Sequence, residues 1–307
     1  MPSLVRECRG HSGAVNAIRF NKDGEYAMSA SDDRTVRLWN PHKADPSKDG
    51  QALVIKKYDG VHGYQILDVA IANDNSKFAS CGGDKVCFLW DISSGQVMRR
   101  FQGHTQRINT VQMNEEGTLL FSGSYDKTTH IWDLRSHMRD PVQSLTDFTD
   151  SVTSIALSRT EVCASCVDGK IRAYDLRMGR LHVDDFYDPV TFLRLSYDQR
   201  CALSTCLNGA LRLTEVSSGR VLQSYSGHKN SSYKVEAHFT NDDGRVIGGS
   251  EDGRVLIWDL VSAKELSSFN AHTRGVASLS YHPKLAAFMT SSYDGSIRYW
   301  SDDIAGS

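Results

Sequence analysis

The sequence predicts an all-β fold, a seven-bladed propeller closed by its own first strand, and three observations carry that prediction. A unit of short apolar strands around a tight Asp turn recurs along the 307 residues; Ser122-Gly123-Ser124-Tyr125-Asp126-Lys127-Thr128-Thr129-His130-Ile131-Trp132-Asp133, preceded by Gly103-His104, is its clearest copy. The strand-ending Trp or its substitute falls at Trp39, Trp90, Trp132, Tyr174, Thr214, Trp258 and Trp300. The turn Asp or its substitute stands six residues earlier in every copy, at Asp33, Asp84, Asp126, Asp168, Asn208, Asp252 and Asp294. Finally, the last copy stops after three strands, while an extended run without a blade of its own precedes the first. A repeat of about 40–45 residues marked by Gly-His and Trp-Asp is the signature of a WD40 β-propeller blade.

The spacing has a physical cause. An opening His, at His11, His62, His104 and His272, stands 22 residues before its turn Asp, and at His228 the gap is 24. A buried indole N–H needs an acceptor. The hydroxyl four residues before the Asp supplies it, at Ser29, Ser80, Ser122 and Thr290. That hydroxyl passes the bond to the His, and the His to the carboxylate. The chain of bonds staples inner and outer strands, with the Trp placed on the outer one, and each member accounts for the others' burial. Four complete staples are expected: His11–Ser29–Asp33–Trp39, His62–Ser80–Asp84–Trp90, His104–Ser122–Asp126–Trp132 and His272–Thr290–Asp294–Trp300. Blade 6 has Gly248 at the hydroxyl position, so its staple is incomplete. Blades 4 and 5 keep little, with Ala164 for the hydroxyl, Phe148 and Phe186 near the His slots and Thr214 for the Trp.

In order, residues 3–8 are the extended run and supply the missing outer strand of the last blade, which removes unpaired edges at the seam. The whole of 1–307 is then one domain, with blades at roughly 10–58, 59–101, 102–145, 146–186, 187–225, 226–269 and 270–301 plus 3–8. Val15-Asn16-Ala17-Ile18-Arg19-Phe20 alternates with a period of two, as a strand should. Asn21-Lys22-Asp23-Gly24, Asn114-Glu115-Glu116-Gly117 and Asn241-Asp242-Asp243-Gly244 are three copies of one hairpin turn. Trp-to-Trp spacings of 51, 42, 42, 40, 44 and 42 residues single out an insertion at 41–50. Its Pro, Lys, Asp and Gly content predicts a solvated loop. The tail after Trp300 stops without a further strand, and no helix of consequence is expected.

Composition narrows the function classes. Apolar residues make up 40% and charged residues 23%, and the formal net charge is −2. That is ordinary for a soluble globular protein and offers no clustered basic face for nucleic acid. No apolar run approaches membrane-spanning length, and the first residues lack a signal-peptide core. Seven cysteines, an odd count, read as reduced thiols.

Several local patterns look like chemistry. Ser29, His11 and Asp33 are the residue types of a hydrolase triad, but the same set recurs in three other blades, and no enzyme needs four buried copies. Cys163 and Cys166, with Cys201 and Cys206 one blade on, could be read as a zinc set. Strand geometry puts Cys163 and Cys166 on opposite faces, which favours packed thiols. Asn230-Ser231-Ser232 matches a glycosylation sequon and is expected to go unused. No catalytic residue, cofactor or metal is therefore expected.

What remains is binding. In this architecture the rim is built from the residue before each turn Asp and from the positions three and five after the Gly-His. The first set is Asp32, Gly83, Tyr125, Val167, Leu207, Glu251 and Tyr293. The second includes Gln65, Leu67, Arg107, Asn109, Ser151, Thr153, Pro189, Thr191, Lys234 and Glu236. Interface hot spots favour Tyr, Trp and Arg. The partner-binding rim is thus assigned to Asp32, Gln65, Arg107, Asn109, Tyr125, Lys234, Glu251 and Tyr293, with Arg107, Tyr125 and Tyr293 as anchors and Tyr64 and Tyr233 behind them.

Residues outside the repeat consensus add a resemblance. Leu38-Trp39-Asn40-Pro41, His62-Gly63-Tyr64-Gln65-Ile66-Leu67-Asp68, Cys81-Gly82-Gly83-Asp84-Lys85, Leu89-Trp90-Asp91-Ile92-Ser93-Ser94-Gly95-Gln96-Val97, Tyr174-Asp175-Leu176-Arg177-Met178-Gly179 and Gly227-His228-Lys229-Asn230-Ser231-Ser232-Tyr233-Lys234 are among the stretches that carry it. So are Ser250-Glu251-Asp252-Gly253-Arg254 and Trp258-Asp259-Leu260. On these the chain resembles the mitogen-activated protein kinase organizer family, WD-repeat scaffolds also counted among spliceosomal components. It departs from that family in the longer 41–50 connection and in lacking a basic, Pro-rich N-terminal extension. The resemblance implies a non-catalytic scaffold, cytoplasmic and nuclear, a monomer within larger assemblies. Its expected partners are kinase-cascade components, spliceosomal proteins or both, with no direct nucleic-acid or membrane contact. The alternative is a substrate receptor of a ubiquitin ligase, for which Trp132-Asp133-Leu134-Arg135 and Tyr174-Asp175-Leu176-Arg177 resemble the docking motif.

Overall fold

The computed structural model describes residues 2–47 and 50–302. Met1, Lys48 and Asp49 of the insertion, and the tail from 303 to 307, lie outside the described residues. The described residues form twenty-eight strands in seven four-stranded sheets, with no helix. Blade 1 holds β2 (Val15–Phe20), β3 (Ala27–Ser31), β4 (Val36–Ala44) and β5 (Ala52–Tyr58). Blade 2 runs from β6 (Ile66–Ile71) to β9 (Val97–Gln102), and blade 3 from β10 (Ile108–Met113) to β13 (Gln143–Leu145). Blade 4 spans β14 (Val152–Leu157) to β17 (Arg180–Asp185), and blade 5 β18 (Val190–Leu195) to β21 (Val221–Tyr225). Blade 6 runs from β22 (Ala237–Phe239) to β25 (Glu265–Asn270).

Blade 7 is the seam. Besides β26 (Val276–Tyr281) and β27 (Ala287–Ser292) it holds β1 (Ser3–Cys8) and β28 (Ile297–Ser301), in the order β1-β28-β27-β26; β1 pairs antiparallel with β28, from Ser3 opposite Ser301 to Cys8 opposite Ile297, with a bulge at Val5. Arg298 reaches across to Glu7 at 2.9 Å. On the inner side, the Ser278 and Ser280 hydroxyls each accept a backbone N–H from blade 1, from Ile18 and Phe20, at 3.1 Å.

Apolar side chains fill the space between blades rather than one central core. Trp39, Trp90, Trp132 and Trp258 are fully buried, and Trp90 stacks on Phe78 at 5.7 Å. Such a pair is worth about 0.5–1.5 kcal/mol beyond its area. Each of these Trp residues lies on the third strand of its blade, one in from the edge, and not on the outer strand. The third strand is flanked on both sides by strands of its own sheet. The residue after every turn Asp or Asn has a left-handed backbone: Arg34, Lys85, Lys127, Gly169, Gly209, Gly253 and Gly295, with φ between 62° and 86°. Four of the seven are Gly, the residue for which that conformation is cheapest.

The insertion at 41–50 is not a detached loop. It lengthens the β4–β5 hairpin, with Asn40 opposite Leu53 and Ala44 opposite Ala52. Pro41 is buried and its carbonyl accepts from Arg6 at 2.8 Å, and His42 packs edge-on against Tyr299 at 5.6 Å. Its Pro and His have apolar surface to cover, and the seam between blades 1 and 7 is where they cover it.

Candidate partner-binding surface

Six innermost strands carry a β-bulge at the same level. The extra residues are Asn16, Leu67, Asn109, Thr153, Thr191 and Ala277, and all six line one cavity at the mouth of the central channel on the face of the Asp turns, here called the upper face. A bulge re-aims a side chain. Here it turns polar groups sideways onto the next blade. Asn16 donates to the Ile66 carbonyl at 2.8 Å, Asn109 to the Val152 carbonyl at 2.7 Å and Thr153 to the Val190 carbonyl at 2.8 Å. Asn109 was assigned to the partner-binding rim, yet its amide is committed to bolting blade 3 to blade 4.

Below this mouth an ion network crosses the channel. The Arg19 guanidinium meets Asp68 at 2.9 Å and Glu236 at 2.7 Å, and Lys234 meets Glu236 at 3.0 Å. Ser278 donates to Glu236 at 2.6 Å and Thr110 to Asp68 at 3.0 Å. Five blades contribute. Burial pushes the Glu236 carboxyl up, but the Arg19 and Lys234 charges outweigh it and hold the group well below the usual carboxylate range. Glu236, counted among the rim positions from sequence, is 0% exposed and offers nothing to a partner.

The cavity itself measures about 780 Å³ and gathers Asp32, Gln65, Arg107, Asn109, Tyr125, Lys234 and Tyr293 from the eight assigned rim residues. Glu251 does not line it. Its carboxylate accepts the N–H groups of Ser231, Ser232 and Tyr233 at 2.6–2.8 Å, which fixes the loop that presents Tyr233. A carboxylate beside three free amides takes them in preference to facing solvent. Around the mouth stand two aromatic groups. Arg107 lies over the Tyr125 ring at 4.9 Å, and Tyr233 packs against Tyr293 at 5.4 Å. Tyr64, Tyr125 and Tyr233 are 62%, 50% and 59% exposed. Tyr293 is half-buried and its hydroxyl donates to the Lys234 carbonyl at 3.3 Å, so it braces Tyr233 rather than standing free.

The blades that carry these residues are held by the staples. In blade 1, Trp39 donates to Ser29 at 2.8 Å, Ser29 bonds His11 at 2.7 Å and His11 bonds Asp33 at 2.8 Å. The corresponding distances are 2.8, 2.7 and 2.5 Å in blade 2 and 2.9, 2.8 and 2.9 Å in blade 3. Blade 7 differs. Trp300 donates to Thr290 at 2.9 Å and Thr290 bonds His272 at 2.7 Å, but the other His272 nitrogen faces the Ser296 hydroxyl at 2.9 Å, with Asp294 at 3.4 Å. Burial pushes the His11 and His272 rings down despite their carboxylates, so both are neutral relays.

Blades 4 and 5 are not merely eroded. Arg172 grips Asp168 with both guanidinium arms, at 2.8 and 3.2 Å, and lies over the Phe148 ring at 5.0 Å. In blade 5, Arg212 and Asn208 converge on Asp188 at 3.1 and 2.6 Å, with Arg212 over Phe186 at 5.5 Å. A Phe–Arg–carboxylate clamp thus replaces the His staple. The Arg four residues after the turn, paired with Phe at the His slot, was a signal available in the sequence. Blade 6 has neither device. Both ring nitrogens of buried His228 lack a partner among the described residues, and burial pushes its ring down to about 4. Trp258 donates instead to the Ser226 carbonyl at 3.1 Å.

No group of three or more His, Cys, Asp or Glu among the described residues could hold a metal, and all seven cysteines are free thiols.

Comparison with known proteins follows the same division of the ring. The family model "WD domain, G-beta repeat" matches residues 2–40, 55–91, 95–133, 219–259 and 263–301, which leaves out 134–218, where both clamps lie. WD repeat domain-containing protein 83 of Homo sapiens is 42% identical over 291 residues, covering 95% of this chain and 89% of its own. The chain belongs to the WD repeat domain-containing protein 83 family. The Dictyostelium discoideum homolog of WD repeat domain-containing protein 83 is 35% identical, with 94% of this chain and 95% of its own covered, and the Rattus norvegicus protein is 41% identical. This corrects the family name drawn from the sequence resemblance. The relatives are named as WD repeat domain-containing protein 83 and not as a mitogen-activated protein kinase organizer, and their names carry no role. The resemblance had rested on sequence stretches that mark a lineage, and a lineage does not carry a job with it.

Proposed function

We propose that this member of the WD repeat domain-containing protein 83 family is a non-catalytic interaction scaffold that docks partner segments on its upper rim. The observation that carries the reading is the pair of aromatic groups, Arg107 with Tyr125 and Tyr233 with Tyr293, flanking a 780 Å³ mouth. Tyr and Arg held rigidly by a braced backbone are what hot spots are made of. The His, Ser and Asp groups that would suggest hydrolysis are consumed in staples, which leaves no convergent acid, base and nucleophile among the described residues.

The partners we assign are components of a mitogen-activated kinase cascade and of the splicing machinery, with a cytoplasmic and nuclear location and a monomeric chain inside larger assemblies. A rigid ring that offers several faces raises the effective concentration of what it holds. The test is affinity purification from cytosolic and nuclear extracts with wild type and with Arg107→Ala/Tyr125→Ala. Kinases or splicing proteins should be recovered and lost together in the double variant; recovery of neither class, or undiminished recovery with the double variant, refutes the assignment.

A second reading rests on Arg135, whose side chain is 73% exposed beside Asp133, and on Arg177, also exposed. These would serve a ubiquitin-ligase receptor. Replacing both by Ala and finding ligase-adaptor recovery unchanged removes it.

A further inference from the structure

The channel has a second mouth, on the face opposite the Asp turns, and its chemistry differs from the upper one. A cavity of about 330 Å³ opens there among the ends of β10, β14, β18 and β22 and the hairpins that follow them. Arg194, Arg19 and His238 line it, with exposed Glu115 at its edge. Arg19 is already held by Asp68 and Glu236. The Arg194 side chain makes no hydrogen bond or ion pair with any described residue, although the residue is only partly open to solvent. His238 is 2% exposed, and its Nε2 has no partner among the described residues.

The ion pairs of the channel interior tie Arg19 and Lys234 to Asp68 and Glu236, and the Arg194 side chain stands outside them. An unpaired cation in a half-buried site is costly, and so is a buried ring nitrogen without a partner. A planar guanidinium fork is matched by the two oxygens of a carboxylate or a phosphate. The volume sits at the small end of the range for organic ligands, which suits a small head group rather than an extended polyanion.

We infer that the lower mouth binds a small organic oxyanion, a phosphomonoester or a carboxylate, whose head group is gripped by Arg194 and contacted by His238. The site is separate from the upper rim, and nothing in its test depends on protein partners.

The experiment is thermal unfolding of the full chain titrated with inorganic phosphate in one arm and succinate in another, against sodium chloride at matched ionic strength, with the His238 ring followed by proton NMR. A saturable rise in Tm beyond the chloride effect is expected in at least one arm, together with a shift of the His238 resonances. Phosphate alone points to a phosphomonoester, and succinate alone to a carboxylate. Arg194→Gln should weaken the apparent affinity at least tenfold, and Arg194→Lys, which keeps the charge and loses the fork, should weaken it about threefold or more. Lys264→Gln, on the exposed outer edge, should leave it unchanged. No saturable effect beyond chloride in either arm overturns the inference, as does full affinity in Arg194→Gln. Should that variant fail to fold, full affinity in Arg194→Lys overturns it instead.

Discussion

Replacing Gly248 by Ser restores in the sequence the hydroxyl that blade 6 lacks, and we predict that it destabilises the protein. By repeat consensus the substitution completes a staple between His228 and Trp258. By the structure, the space is taken. A Cβ on Gly248 would lie 2.9 Å from Cζ3 and 3.2 Å from Cη2 of Trp258, whereas carbon atoms settle at about 3.5–4.0 Å. The indole must therefore retreat by roughly 0.5 Å. It has little room, being 1% exposed, packed by Tyr225 and His228 and tied to the Ser226 carbonyl. Overpacking of this kind costs about 1–3 kcal/mol, and a clamped ring belongs at the upper end. Against it stand about 1 kcal/mol for a new hydroxyl bond to His228 and a few tenths for removing a strand Gly. The net is a loss of about 1–2 kcal/mol, or roughly 2–3 °C in Tm. Gly248→Ala carries the same Cβ without the hydroxyl and should be worse by about 1 kcal/mol. Urea unfolding followed by tryptophan fluorescence measures all three proteins. A Gly248→Ser variant more stable than wild type, or an Ala variant more stable than the Ser one, refutes the reasoning.

Three more predictions follow from the buried polar groups. Ser122→Ala leaves the Trp132 N–H and a His104 nitrogen without partners and should cost about 2–4 kcal/mol. Ser204→Ala at the equivalent position of blade 5, where the hydroxyl has no partner, should change stability by less than about 0.5 kcal/mol; urea midpoints compare the two. Arg19→Met removes the cation paired with Asp68, leaves Glu236 with Lys234 alone, and should cost about 3–5 kcal/mol at pH 7. That deficit should shrink on acidification to pH 5, because buried Glu236, having lost the larger of the two charges that hold it ionised, takes up a proton more readily in the folded state, and unfolding curves at both pH values test it. Finally, His228, His130 and His282 are pushed down to about 4 by burial, against about 6.5 unfolded. Their stabilisation is complete above pH 6.5 and falls away as pH drops to 4, by on the order of 3 kcal/mol for His228. Asp33, Asp84, Asp126 and Asp294 are held below their unfolded range despite burial by hydrogen bonds from His, joined by a hydroxyl at all but Asp84, and their contribution is lost in a second stage below pH 4. Calorimetry from pH 7.5 to 3 should show both stages, with the upper one flattened in His228→Phe.

The staples and the shared seventh blade were legible because each is a local pattern repeated in register. Trp39, Ser29, Asp33 and His11 stand at fixed spacings, and residues 3–8 were left over on one side of a count that was short on the other. What the spacing could not show is where a side chain turns. Asn109 and Glu236 occupy rim positions by count, yet a bulge turns one onto the next blade, and the charge of Arg19 draws the other into the channel. The Arg19–Asp68–Glu236 network joins residues up to 217 apart, and no short-range pattern links them. The clamps of blades 4 and 5 fell between these cases: Arg172 and Arg212 were in view, but the pattern sought was His and Trp, and their absence was read as loss.

The shared sheet of β1 and β28 also sets the order in which the molecule can be made. On the ribosome Ser3–Cys8 emerges before the other described strands, and its pairing partner Ile297–Ser301 emerges after them. Until then β1 has only an unpaired strand edge to offer, and six blades stand as an open arc whose end blades expose the faces that later meet each other. Closure of so distant a contact is the slow step of a topology like this one. A nascent chain stalled before residue 297 should therefore be the species most in need of a chaperone.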